Sequence, residues 1–125
     1  MSQGDNINFS NSTFTNSIVN IKSRLDNVTQ TISSLPDTGD EEKARLEELM
    51  KQLSEALQQV PEDKAQDADT VSQMAEQAVK AAKDGNAPML KVTAGGLVEA
   101  AKALAGVVPA ALTIATQIAK TLSGT

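Results

Sequence analysis

Residues 17–35 read SIVNIKSRLDNVTQTISSL. Ile18, Ile21, Leu25, Val28, Ile32 and Leu35 follow at steps of 3, 4, 3, 4 and 3. Residues three and four apart share one face of an α-helix, whereas a half-buried strand needs a period of two. The stretch is therefore a helix over about 17–34 with a heptad seam, which needs other helices to cover it. Asn16 or Ser17 is suited to cap its start, and Pro36 and Gly39 to end it.

The same alternation recurs downstream. Asp40, Glu41 and Glu42 place carboxylates where a helix N-terminus favours them, ahead of a seam of Leu46, Leu49, Leu53, Leu57 and Val60. This predicts a second helix over about 40–59. Pro61, followed by Glu62 and Asp63, suits the first turn of a third helix over about 62–84, with Ala68, Val71, Ala75, Ala78 and Ala82 as its seam. One long helix bent at Pro61 is the alternative. Asp84, Gly85, Asn86 and Pro88 form a stop. Thr93 is the expected cap of a fourth helix over about 93–122, with Leu97, Ala101, Leu104, Val108, Ala111, Ala115, Ile118 and Leu122 in its seam and a kink at Pro109. Leu112 lies beside that seam, so this helix is apolar on more than one face and reads as the central one. The links are short, and the fold expected is an all-α, antiparallel up-and-down four-helix bundle over 17–125. Its core is expected to include Ile21, Leu25, Val28, Ile32, Leu46, Leu49, Leu53, Leu57, Val71, Leu97, Leu104, Val108, Leu112 and Ile118.

Residues 1–16 differ in character, being rich in Asn, Ser and Thr. Residues 8–17, NFSNSTFTNS, are two near-copies of one pentapeptide and hold both aromatic residues of the chain, Phe9 and Phe14. Phe9, Phe14 and Val19 are five residues apart, a spacing similar to that of pentapeptide-repeat β-solenoids, but less than one full coil is present. Two short strands around residues 10–12 are a simpler account. A lone hairpin is marginal in water, so a short N-terminal β segment is expected to pair between molecules, with Ile7, Phe9, Phe14 and Val19 as self-association residues. A tail without fixed structure, one Phe resting on the bundle, is the alternative.

Composition narrows the chemistry. Among 125 residues there is no Cys and no His. Thiolate chemistry, the commonest general base and the commonest transition-metal ligand are thereby removed. A di-metal bundle site of the Glu-x-x-His type fails for want of His. Residues 63–69, DKAQDAD, lack the Gly and final Glu of a calcium loop. No phosphate-cradling glycine motif occurs, and Gly95-Gly96 is better read as a close helix contact. The acidic side chains fall at helix starts and on outer faces. Glu76 and Glu99 lie nearer apolar faces, each with a Lys in reach, Lys80 and Lys102. No catalytic, cofactor or metal site is expected. A net charge of −5 without any basic run disfavours nucleic acid and anionic membranes. Residues 103–119 are uncharged and flanked by Lys102 and Lys120. Their length is at the lower limit for a membrane span, and Pro109, Thr113, Thr116 and Gln117 favour a buried helix instead. The start of the chain has no secretory pattern, so a cytoplasmic location is expected, with leaderless export as the other route.

The phrases NIKSRLDNVTQTISSLP at 20–36 and IATQIAK at 114–120, behind an Asn/Ser/Phe-rich start, resemble a group of uncharacterised small bacterial proteins and terminal modules. The resemblance implies an accessory helical module, in bacterial defence or signalling, with no activity or catalytic residue attached. The leading functional expectation is a non-enzymatic protein that assembles with itself into a homo-oligomer or filament. A helical adaptor binding a partner on its bundle surface and a membrane-active effector using residues 103–119 are the alternatives.

Overall fold

The computed structural model describes the backbone of residues 2–35 and 39–123 and the side chains of residues 18–35 and 39–122. It is all-helical across these residues. Five α-helices follow in order: α1 (Ser2–Ser33), α2 (Asp40–Leu57), α3 (Ala65–Lys83), α4 (Ala87–Lys102) and α5 (Pro109–Ser123). A single 3-10 turn, Glu62–Lys64, leads into α3. Helix α1 packs on α2 and α3, α3 on α4, α4 on α5, and α5 on α2, so the helices close a ring around one core.

The seam of α1 is the spine of that core. Ile21, Leu25, Val28, Ile32 and Leu35 are buried, as are Leu46, Leu49, Leu53 and Leu57 of α2. Met50, which lies off the expected seam, is fully buried as well. Helix α3 contributes Val71 among small residues, with Ala68, Ala75 and Ala78 wholly inside. Leu97, Leu104, Val108 and Ile118 complete the interior, and Leu112 packs against it from a half-buried position. Large aliphatic side chains on α1 thus face small ones on α3, which lets the two helices approach and keeps the interior filled.

Four differences from the sequence-based expectations have physical causes. First, no strand occurs among the described residues, and the expected N-terminal β segment is instead the first half of α1. A hairpin at 1–16 would find no sheet among the described residues to complete it. A helix already held by the buried seam, in contrast, extends at the small cost of propagation rather than nucleation. Neither Asn16 nor Ser17 caps α1, since both lie inside it.

Second, residues 58–60 form a turn and Pro61 precedes the 3-10 turn, so α2 and α3 are separate helices. Third, the fourth helix begins at Ala87, well before Thr93. Helix α3 ends in a Schellman motif at Gly85, which has φ of +68°. The Asn86 amide donates to the Ala81 carbonyl (2.9 Å) and the Gly85 amide to that of Ala82 (3.2 Å). Asn86 then caps α4, its side chain accepting from the Met89 amide at 3.1 Å. Thr93 is an interior residue, buried, with its hydroxyl donating to the Met89 carbonyl at 2.8 Å.

Fourth, the expected 93–122 helix is two helices. Residues 103–107 are tight turns, with the amides of Ala103, Leu104 and Ala105 donating three residues back. Pro109 begins α5 and does not kink a continuous helix. A proline has no amide to lose at a first helical position, and it disfavours helical geometry at the residue before it, Val108. The break lets α4 lie on α3 while α5 turns onto α2.

Two glycine substitutions check this account in opposite directions. Gly85→Ala places a Cβ in the left-handed region and is expected to cost about 1 kcal/mol. Gly95→Ala sits in the interior of α4, where an added Cβ meets nothing within 4 Å. It is expected to stabilise by roughly 0.5–1 kcal/mol from helix propensity alone. Denaturant midpoints of the two variants against the parent measure both.

Candidate functional site

Three features lie outside the simple packing of apolar seams. The first is a polar clasp between α1 and α3. Arg24 flanks the α1 seam and reaches three acceptors on α3. Its Nη1 donates to Asp69 Oδ1 at 2.6 Å and to Ser72 Oγ at 2.7 Å, and its Nε lies 3.7 Å from Glu76 Oε1. Ser72, fully buried, donates its hydroxyl to the Asp69 carbonyl at 2.7 Å. Gln73 Nε2 donates to Asp69 Oδ2 at 2.9 Å. Asp69, Ser72, Gln73 and Glu76 are spaced 3, 1 and 3 residues apart, which puts them in one stripe along α3. Glu76 therefore pairs with Arg24, on another helix, and not with Lys80 as the local spacing had implied. Glu99 does pair with Lys102, at 2.8 Å on the open surface.

The clasp has a structural use. Apolar contact between the long side chains of α1 and the alanines of α3 is not directional, so sliding by one turn costs little in buried area. A guanidinium held by a carboxylate and a hydroxyl selects one register, because every other setting leaves Ser72 and Arg24 without these partners. The side chains of Arg24 and Asp69 are 24% and 30% exposed, so solvent screens the pair only in part.

The second feature is a groove of about 820 Å³ between α1 and α2. The buried Leu25 and Met50 line it, and charge surrounds them, with Asp26, Glu47, Glu48 and Glu55 outweighing Lys22 and Lys51. No group of three or more His, Cys, Asp or Glu able to hold a metal occurs among the described residues.

The third feature is α1 itself. At 1.5 Å per residue its 32 residues run about 48 Å, whereas α2, with 18 residues, runs about 27 Å. Helix α2 packs on α1 and is long enough to run along little more than half of it. The expected self-association residues divide on this helix. A step of five residues turns a helix by about 140°, so Phe9, Phe14 and Val19 do not share a face. Val19 is 55% exposed. Ile7 and Phe14 are two heptads and one heptad before Ile21 and share its register position, while Phe9 has an outer one. The side chains of Ile7, Phe9 and Phe14 lie outside the described residues.

The 103–119 segment is divided between the turns and α5, and no helix among the described residues is long and apolar enough to cross a membrane. Comparison with protein-family models, with curated proteins and with solved structures finds no match for this chain.

Sequence reasoning missed the clasp. The signal was present as a lone Arg beside the α1 seam and a polar stripe beside the α3 seam, but only their juxtaposition gives it meaning. Replacing Arg24 by Met keeps most of the aliphatic stem and removes the charged hydrogen bonds. The variant Arg24→Met is expected to lose about 1–2 kcal/mol of stability, and the loss should shrink when Asp69→Asn is already present. A double-mutant cycle by chemical denaturation measures this coupling.

Proposed function

We propose that this protein is a non-enzymatic helical association module that binds a second copy of itself through the N-terminal half of α1. The observation that carries the reading is the length of α1 combined with an unbroken heptad register. Ile7 and Phe14 continue the heptad line of Ile21, Val28 and Leu35 on a helix of 32 residues, against 18 in α2. An apolar line at helical spacing is the usual basis of helix pairing.

Two further points support it. Residues 6–17 are mostly Asn, Ser and Thr, which favour helix interiors poorly, so this half of α1 gains from burial against a partner. Residues 1–21 also carry a single charged side chain, Asp5, although the whole chain has a net charge of −5. Two copies meeting here avoid most of the like-charge repulsion that they would meet elsewhere.

The contact is small. Each of its four apolar side chains contributes roughly 1.5–3 kcal/mol, which competes with an association cost of about 4–15 kcal/mol. The assembly is therefore weak and concentration-dependent. Deleting residues 2–16 is expected to leave a helical bundle with cooperative unfolding, because the described core from Ile21 to Ile118 is kept, and to reduce the mass found by light scattering at high concentration to that of a monomer. In the full chain, helicity by circular dichroism should fall on dilution as the mass falls. An unchanged mass after the deletion rejects the proposal.

The α1–α2 groove favours a second reading, an adaptor that takes a basic amphipathic helix against Leu25 and Met50. In that case a Lys/Leu model helix binds the full chain and the 2–16 deletion equally, and the double charge reversal Glu47→Lys, Glu55→Lys abolishes binding. Titration followed by circular dichroism decides it.

A further inference from the structure

We propose that Met74 is an oxidation site that latches α3 to α4, and that conversion of its thioether to the sulfoxide releases the contact. These two helices form the most extensive pairing among the described residues. The buried residues of α3 are all Ala, Val or Ser. Met74, half-buried and packed against the core, is the longest apolar side chain this helix offers. Its sulfur lies in a notch at Gly96 of α4. A Cβ added at Gly96 would stand 2.8 Å from Met74 Sδ and 3.8 Å from its Cγ. Carbon atoms in optimal contact are about 3.5–4.0 Å apart, so the sulfur occupies space that any side chain at 96 would need. A Cβ at the neighbouring Gly95 meets nothing within 4 Å, so of this glycine pair only Gly96 is fitted to α3. An unbranched, polarisable thioether suits a slot of that shape.

The three described methionines differ in access to solvent. Met50 is fully buried, and Met89 is 48% exposed at the start of α4. Met74 and Gly96 are both half-buried, so the notch opens to the surface and a small oxidant reaches the sulfur in the folded chain. With hydrogen peroxide, a sulfur lone pair attacks one peroxide oxygen and the O–O bond breaks. The proton on the transferred oxygen passes to the departing hydroxide. Sulfur gives up two electrons, the peroxide takes them, and the products are one sulfoxide and one water. The new oxygen is an acceptor without a donor, because the amides inside α4 are engaged along the helix. Kept in the notch, it is desolvated against the Gly96 backbone. Turned out to water, it leaves the notch unfilled. Either way α3 and α4 hold each other less well. Met89 is not part of the core, and its oxidation has no such consequence.

The test treats the full chain with hydrogen peroxide, locates sulfoxides by peptide mass spectrometry and follows the denaturant midpoint. Met89 is expected to oxidise first, with the midpoint unchanged, then Met74, with Met50 last. Oxidation of Met74 should lower the folding equilibrium constant about tenfold, and methionine sulfoxide reductase should restore it. Met74→Leu should keep its midpoint under the same treatment, whereas Met89→Leu should lose stability as the parent does. The parent before and after reductase supplies the same comparison without a variant. Full oxidation at Met74 with an unmoved midpoint overturns the proposal, as does an equal loss in Met74→Leu. Met74 that stays reduced until the chain unfolds overturns it as well.

Discussion

The burial of the α1 seam is the constraint on which the rest of the molecule depends. Ile21, Leu25, Val28, Ile32 and Leu35 lie almost wholly out of water, and no single helix covers a seam of that width. Helices α2 and α3 approach it from two sides, α4 lies on α3, and α5 closes the ring onto α2. The choice of residue follows from this arrangement. Leucines on α2 fill the wide side, and alanines on α3 allow the backbone to approach where space is short. Hydrophobic burial supplies the drive, but it leaves register nearly free. The contact of Arg24 with Asp69 and Ser72 removes that freedom for one pair of helices.

Chain punctuation does the remaining work. Gly85, the one glycine described at positive φ, ends α3, and the next residue starts α4, so a single short turn both satisfies the last carbonyls of one helix and caps the next. Pro109 acts differently in its setting from the way its position in an apolar stretch implies. It starts a helix, and the turns before it redirect the chain so that Ala111, Ala115 and Ile118 face the common core. Without that break, one continuous helix could not lie against both α3 and α2.

This economy leaves α1 longer than anything that packs on it. The same register that builds the interior runs on in the sequence through Phe14 to Ile7. The asymmetry between one long helix and four shorter ones, more than any pocket or cluster of reactive groups, is why association is the function proposed. The groove between α1 and α2 is wider, but its mixed charge specifies an occupant less sharply than a repeated register does.

Much of the helical content was legible in the sequence because periods of three and four, with carboxylates at starts and Gly or Pro at ends, are local signals with local causes. The apolar character of Leu46, Leu53, Val71 or Leu97 and its spacing needed no knowledge of the partner helix. What the sequence left open turned on contacts between distant segments. A spacing of five in Phe9, Phe14 and Val19 reads equally as a β repeat until the helix beginning at Ser2 scatters those residues around its circumference. Whether Pro109 kinks a helix or starts one depends on where α2 stands, and whether Glu76 pairs with Lys80 or Arg24 depends on which face of α3 meets α1. Local periodicity determined which segments are helical; only tertiary packing decided where they break and which register they share, because those choices are set by the area and the polar partners that other helices supply.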